Sequence, residues 1–272
     1  MKITIAAFFL SCFLFFAMPL SLPAQTDSTP EMHGKILGKA HFYTTDRLCN
    51  IYLIDADYQI VKYTPAGKET YRYNNNRLDR PTFIDATDPF NIMVFYPDYQ
   101  TIILLDRTMT HTATLNFSDF DFFNVNAVAF SSDNKLWVYD ELNFRLKKVD
   151  RNGKTIQESD DLSLLLDSDF KPNFIVEREL KVFVNDPEVG ILVFDAFGQY
   201  VKRLDFKGLT DFQVSRNLLI FRDENNAAQI FQLKGLLTTP AQLSADIPTG
   251  KIQYQTGFLY AQGEEGIFVF RL

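Results

Sequence analysis

Cysteine and histidine are scarce in this chain of 272 residues: two Cys and three His are all it has for thiol or soft-metal chemistry. That excludes zinc fingers, iron–sulfur clusters and a disulfide-stapled mini-domain. Positive charge is also short. With 27 Lys and Arg against 34 Asp and Glu, the formal charge is −7, which excludes a nucleic-acid reader working through a basic surface. No Gly-x-Ser-x-Gly, His-Glu-x-x-His or phosphate loop occurs. Past the N-terminal segment, no apolar run is long enough to span a bilayer as a helix. What is plentiful is apolar and aromatic surface: 46% of residues are hydrophobic, with 27 Phe and 12 Tyr, ample for a large core and far from a disordered composition.

The N-terminus sets the expected compartment. Met1 and Lys2 form a short positive start, residues 3–20 are almost wholly apolar, and Ser21-Leu22-Pro23-Ala24 ends on a small residue. This reads as a secretory signal peptide over 1–24 and a flexible leader over 25–33. An uncleaved anchor is the rival, since about 18 apolar residues just span a bilayer. The Pro-Ala exit and the polar stretch after it favour cleavage. Lipidation at Cys12 fits poorly, because the apolar run continues beyond it to Leu20. Cleavage would leave Cys49 alone, without a disulfide partner, and it reads as a small buried hydrophobe before an apolar strand.

Internal repetition organises the rest. Strongly β-patterned runs begin at Ile51, Ile92, Leu136, Val182, Leu218 and Phe258, with spacings of 41, 44, 46, 36 and 40 residues. Each is followed, after a short polar turn, by a second β-rich run such as 59–63, 101–105, 145–149 or 266–270. Several of these lead into a tight turn, Pro65-Ala66-Gly67, Asp150-Arg151-Asn152-Gly153 or Asp195-Ala196-Phe197-Gly198, where Gly supplies a positive φ. A further strand then follows, and a weaker one precedes each anchor, for example 81–84, 127–130, 173–176 and 212–214. Four short antiparallel strands per unit predict an all-β, six-bladed β-propeller over 34–272, with blade cores near 51, 92, 136, 182, 218 and 258. The sixth unit stops at Leu272 one strand short, so the segment around 34–38 is expected to complete the last blade and close the ring.

The pattern resembles the six-bladed propellers of the NHL and TolB-like type. In these a unit reads as apolar strand, Asp-containing turn, second strand, then Asp-x-x-Gly. The residues that carry it are 50–55, 135–140 with 145–153, and 181–186 with 194–198. Blades two, five and six depart from it: Tyr96 and Arg222 stand where Asp is expected, and no Gly follows Asp106. The chain is also similar to single-domain propellers exported to the envelope of Gram-negative bacteria. That likeness implies a periplasmic, outer-membrane or cell-surface location.

Equivalent turns of every blade point to one face, so a weak tendency per repeat becomes a ring in space. The turns between second and third strands carry Asp55, Asp57, Asp98, Asp140, Glu141, Asp186, Glu188, Asp223, Glu224, Glu264 and Glu265, with Arg222 the only Lys or Arg among them. The ring predicts an electronegative face for a cation or a basic partner surface. Turn chemistry alone accounts for any single Asp, whose carboxylate accepts nearby backbone N–H groups. Propeller hydrolases and lactonases of related architecture hold a metal at the channel mouth. That resemblance makes Asp55, Asp140, Asn185 and Asp186 the alternative ligands and calcium the alternative cofactor; no cofactor is otherwise expected. His33, His41 and His111 show no ligand spacing. Trp137, Tyr139, Phe183 and Phe221 read as inter-blade core rather than sugar platforms. Residues 160–166 read as a short capped helix packed between blades three and four.

The expected function is an exported, non-catalytic propeller that holds another exported or outer-membrane protein. It would bind no nucleic acid and have no membrane span in the mature chain. The alternative is a metal-assisted hydrolase, or a propeller that binds a small ligand.

Overall fold

The computed structural model describes residues 30–166, 170–241 and 243–272. The expected signal peptide and the first part of the leader lie outside the described residues. Strand β1 (Glu31–Leu37) is followed by six groups. Blade I is β2 (Ala40–Thr45), β3 (Ile51–Asp55), β4 (Ile60–Tyr63) and β5 (Glu69–Tyr73). Blade II is β6 (Phe83–Asp88), β7 (Asn91–Tyr96), β8 (Thr101–Leu105) and β9 (His111–Asn116). Blade III is β10 (Val128–Phe130), β11 (Leu136–Asp140), β12 (Arg145–Val149) and β13 (Thr155–Glu158). Blade IV is β14 (Phe174–Arg178), β15 (Lys181–Asp186), β16 (Gly190–Asp195) and β17 (Tyr200–Leu204). Blade V is β18 (Gln213–Ser215), β19 (Leu218–Arg222), β20 (Ala228–Gln232) and β21 (Leu237–Pro240). Blade VI is β22 (Ile252–Gln255), β23 (Phe258–Gly263) and β24 (Gly266–Arg271), completed by β1. Each blade is an antiparallel four-stranded sheet, and the protein is a six-bladed β-propeller.

The expected anchors all fall in the second strands, which are apolar because they face a neighbouring blade on both sides; β11 is buried along its whole length. Outer strands have water on one side, so β5 and β13 are mostly exposed. One apolar cluster fills each seam between blades. Trp137 and Tyr139 lie in the III–IV seam, and Phe183 and Phe221 in the IV–V seam, as core. Among the described residues the V–VI seam is the thinnest, with six buried residues against thirteen at III–IV. There Gln213 bridges the inner strands, donating to the carbonyl of Tyr254 and accepting from its amide, both at 2.7 Å.

Closure occurs as expected, with one difference: the strand starts at Glu31, inside the segment read as leader. It pairs antiparallel with β24 from Glu31 opposite Arg271 to Leu37 opposite Gly266. Lys35 adds an ion pair to Glu265 at 2.6 Å and sits 4.7 Å from the Phe268 ring centre. Gly34 must be glycine here, since a Cβ would meet the carbonyl oxygen of Pro65 at 2.5 Å.

The Asp turns between third and fourth strands share one geometry. Asp106, Asp150 and Asp195 each accept two backbone N–H bonds that close the turn. In blade II the left-handed place of Gly153 and Gly198 is taken by Met109 at φ 61°, with its side chain buried in the I–II seam. Burial of the thioether chain offsets the strain, so the departure after Asp106 leaves the turn intact.

No such offset exists at the two-residue turn between Arg178 and Lys181. Glu179 and Leu180 both have positive φ, 49° and 60°, and Leu180 is 64% exposed. Primed turns favour Asn and Gly at these places. Leu180→Gly should therefore stabilise the protein by about 0.5–1 kcal/mol, read as a rise in Tm of about 1–4 °C. An unchanged or lower Tm contradicts this.

Candidate functional site: an acidic face and a divided channel

Each second strand ends where the first strand of its blade begins, as the pairing of Asp55 with Ala40 and of Asn185 with Phe174 shows. The turns after second strands thus share one face, here the upper face, with the blade-to-blade connections. All the expected acids stand there, and they divide by task.

Four of them are braces. Asp55 accepts the amides of Asp57 and Gln59 and pairs with Arg72 at 2.8 Å. Asp140, almost fully buried, holds Lys147 and the Asn143 amide group, both at 2.7 Å. Asp186 accepts from the backbone of Glu188 and Lys171. Asp223 accepts from Asn225, Ala227 and Gln229. Glu265 is engaged with Lys35. By contrast Asp57, Asp98, Glu188, Glu224 and Glu264 are exposed, and Glu141 is half-buried. Their side chains make no ion pair among the described residues. Arg222, the one base in these turns, donates to the carbonyls of Asn226, Pro248 and Gly250 and braces the V–VI connection.

The alternative ligands Asp55, Asp140, Asn185 and Asp186 are spread over blades I, III and IV. Asn185 is buried with its amide donating to Asn173 and to the carbonyl of Leu209. Among the described residues no three His, Cys, Asp or Glu side chains form a metal-holding group. His33 packs near Phe258, His41 stacks on Tyr58 and His111 bonds Thr114, on separate parts of the ring. Cys49 is buried and free.

The III–IV seam of the upper face combines acid with exposed hydrocarbon. Leu162 donates its amide to the carbonyl of Phe144 at 2.8 Å, which joins the 160–166 segment to the blade III turn. Asp161 caps a short 3₁₀ turn by accepting from the amide of Ser163. Leu162 is buried as expected, but Leu164 and Leu165 are 83% and 50% exposed, and Leu142 in the blade III turn 61%. The packing role expected for this segment thus holds for Leu162 and not for the next two leucines. In the same seam Tyr139 is buried beside Leu162, and its hydroxyl has no hydrogen-bond partner among the described residues. Burial first, then the charges of Glu141, Asp140, Asp161 and Asp186, push its pKa well up.

A second feature lies on the axis. Phe42 pairs with Ile54, Phe83 with Phe95 and Phe174 with Asn185, each opposite the third residue past its blade anchor. Their rings meet edge to face, Phe42 with Phe83 at 5.3 Å, Phe83 with Phe174 at 5.8 Å and Phe174 with Phe212 at 5.1 Å. Phe83 and Phe174 touch past blade III because Ala127 there is small. This collar divides the channel into cavities of about 190 Å³ above and about 210 Å³ below. Sequence reading missed the collar, although three of the phenylalanines occupy matching places in the weaker first strands and Phe212 stands just before β18.

No family model matches the sequence, and a search of curated proteins returns no match. Among solved structures, the WD40 domain of Neurospora crassa Pan2 aligns with a TM-score of 0.57 and 12% identity, over 89% of this chain and 82% of that one. The computationally designed Ika8 protein aligns with a TM-score of 0.51 and 12% identity, over 85% and 70%. BamB from Moraxella catarrhalis aligns with a TM-score of 0.47 and 16% identity, over 82% and 70%. At such identities the likeness is one of fold. No helix among the described residues is long and apolar enough to cross a membrane.

Two outcomes follow from the braces. Burial raises the pKa of Asp140, but Lys147 and Asn143 outweigh it and hold the carboxyl below its ordinary value. A carboxyl with a depressed folded pKa contributes stability above its unfolded pKa of about 4, and that stability is lost as the pH falls through the folded value. Asp140→Asn should cost about 1–3 kcal/mol at pH 7, and the gap to wild type should narrow by pH 3 in urea titrations. A gap that is constant or widens contradicts the assignment. Because the brace carboxylates already hold donors, adding calcium to about 10 mM should leave Tm within about 1 °C; a larger rise would mean that a cation site forms.

Proposed function

We propose that this chain is an exported, non-catalytic protein-binding propeller of the Gram-negative cell envelope, of the NHL and TolB-like type. On this reading it holds another exported or outer-membrane protein on its upper face. The observation that carries the reading is the III–IV seam, where Leu142, Leu164 and Leu165 are exposed among Glu141, Asp160, Asp161 and Glu188. Exposed apolar residues rimmed by charge mark an interaction surface. The acids around the face extend the range at which a basic partner is attracted, and so raise the association rate. Rigid sheets beneath the loops reduce the ordering cost of binding. Export is supported by the signal-peptide pattern of residues 1–24.

The test is affinity capture of the tagged full chain from its own cell envelope after cross-linking, with the captured protein identified by mass spectrometry. Wild type should capture a specific envelope protein. Leu164→Ser with Leu165→Ser, and separately Glu141→Lys with Glu188→Lys, should reduce capture at least tenfold with Tm nearly unchanged. Capture should also weaken between about 0.05 and 0.5 M salt. Equal capture by both double variants, or the chain found in the cytoplasmic fraction, overturns the proposal.

A further inference from the structure

We infer that the lower half of the central channel binds a small organic monocarboxylate, its apolar end against the phenylalanine collar and its carboxylate on Arg178 and Arg216. The site lies on the opposite side of the collar from the acidic face and does not depend on the reading of that face.

The lower cavity of about 210 Å³ is closed at its inner end by Phe42, Phe83, Phe174 and Phe212, and Arg178 and Arg216 line it nearer the mouth. Arg178 ends β14, and its Nη1 donates to the carbonyl of Glu177 at 2.7 Å, which ties the side chain to its own strand. The guanidinium makes no other hydrogen bond and no ion pair with the described residues. Two carboxylates act on it, and both already hold neutral donors. Asp85 accepts from the amides of Thr87 and Phe130, each at 2.9 Å. Glu177 accepts from the amide of Ser132 at 3.1 Å and from the indole of Trp137. These bonds clamp β10 between blades II and IV, and they leave the arginine fork without a bidentate partner.

A desolvated guanidinium with unmet donors is costly, and burial lowers the pKa of Arg178 against the pull of Asp85 and Glu177. The group that matches its planar fork is a carboxylate or a phosphate. Arg216 doubles the charge at the mouth from the matching place in blade V: Glu177 pairs with Val182 and Ser215 with Leu218, and the arginine follows directly in each case.

Charge and size decide between carboxylate and phosphate. With Lys251 committed to Asp211, the lining sets Arg178 and Arg216 against Asp85 and Glu179, so no net positive charge is left for a dianion and a monoanion is the better match. Lys251 belongs to the collar, with its ammonium 4.4 Å from the Phe42 ring centre and 3.6 Å from Asp211. The cavity equals about seven waters of bulk volume, room for about ten non-hydrogen atoms. Aromatic faces at the closed end and guanidinium at the open end then orient an apolar stem inward and a carboxylate outward.

Titration calorimetry of the protein with 3-phenylpropionate tests this, with 3-phenylpropanamide as the uncharged control. The expected result is saturable one-to-one binding with a Kd of about 1 mM or tighter, and at least tenfold weaker binding of the amide. Arg216→Gln, at an exposed position, should weaken binding at least threefold with Tm unchanged, and Arg178→Gln should abolish it. If Arg178→Gln does not fold, the amide control and Arg216→Gln decide the matter. No saturation by about 10 mM ligand, equal affinity for acid and amide, or unchanged binding by Arg216→Gln overturns the inference.

Discussion

The backbone ladder between β1 and β24 holds the ring together. It joins residues more than two hundred positions apart, from Glu31 opposite Arg271 to Leu37 opposite Gly266. Without it, β24 would be a raw edge of Ile267, Phe268, Val269 and Phe270, and the VI–I seam, which includes Ile36, would open. Every other blade is a local meander whose strands follow one another in sequence. The ladder is the long-range contact that fixes where the six local sheets stand. Closing so long a loop costs only logarithmically more than closing a short one, so backbone pairing and seam burial together can meet that cost.

Once the ring is closed, chemistry at equivalent turns becomes geometry. The upper-face aspartates brace hairpins in blades I, III, IV and V, while the exposed acids near them are left to project a field. The two halves of the channel differ in kind. Above the collar lie the acid turns and the exposed leucines of the III–IV seam; below it lie the half-buried Arg178 and, in the next blade, Arg216. Packed sheets hold both faces rigid, and among the described residues no three His, Cys, Asp or Glu side chains form a metal-holding group.

Much of this was readable in advance, for identifiable reasons. The six anchors stood out because second strands face neighbours on both sides and so must be apolar throughout. The missing fourth strand at Leu272 pointed to closure because a sheet edge cannot be left bare. Other features depended on tertiary detail. The strand begins at Glu31 because pairing with Arg271 orders residues whose composition reads as leader. Met109 replaces a turn glycine because its side chain gains a buried seam. Leu164 and Leu165 looked like packing residues because an apolar loop gives no sign of which leucine faces inward. The collar was hidden because first strands have weak patterns, so Phe42, Phe83, Phe174 and Phe212 align only once the pairing register is known.

Native-state hydrogen exchange on the intact protein tests the closed ring most directly. If β1 completes blade VI, the amides of Ile267, Val269 and their neighbours in β24 should be protected to the same level as those in β11 and β15, and all should be lost together in global unfolding. Fast exchange confined to β1 and β24, with the other blades still protected, would show an open ring and contradict the account.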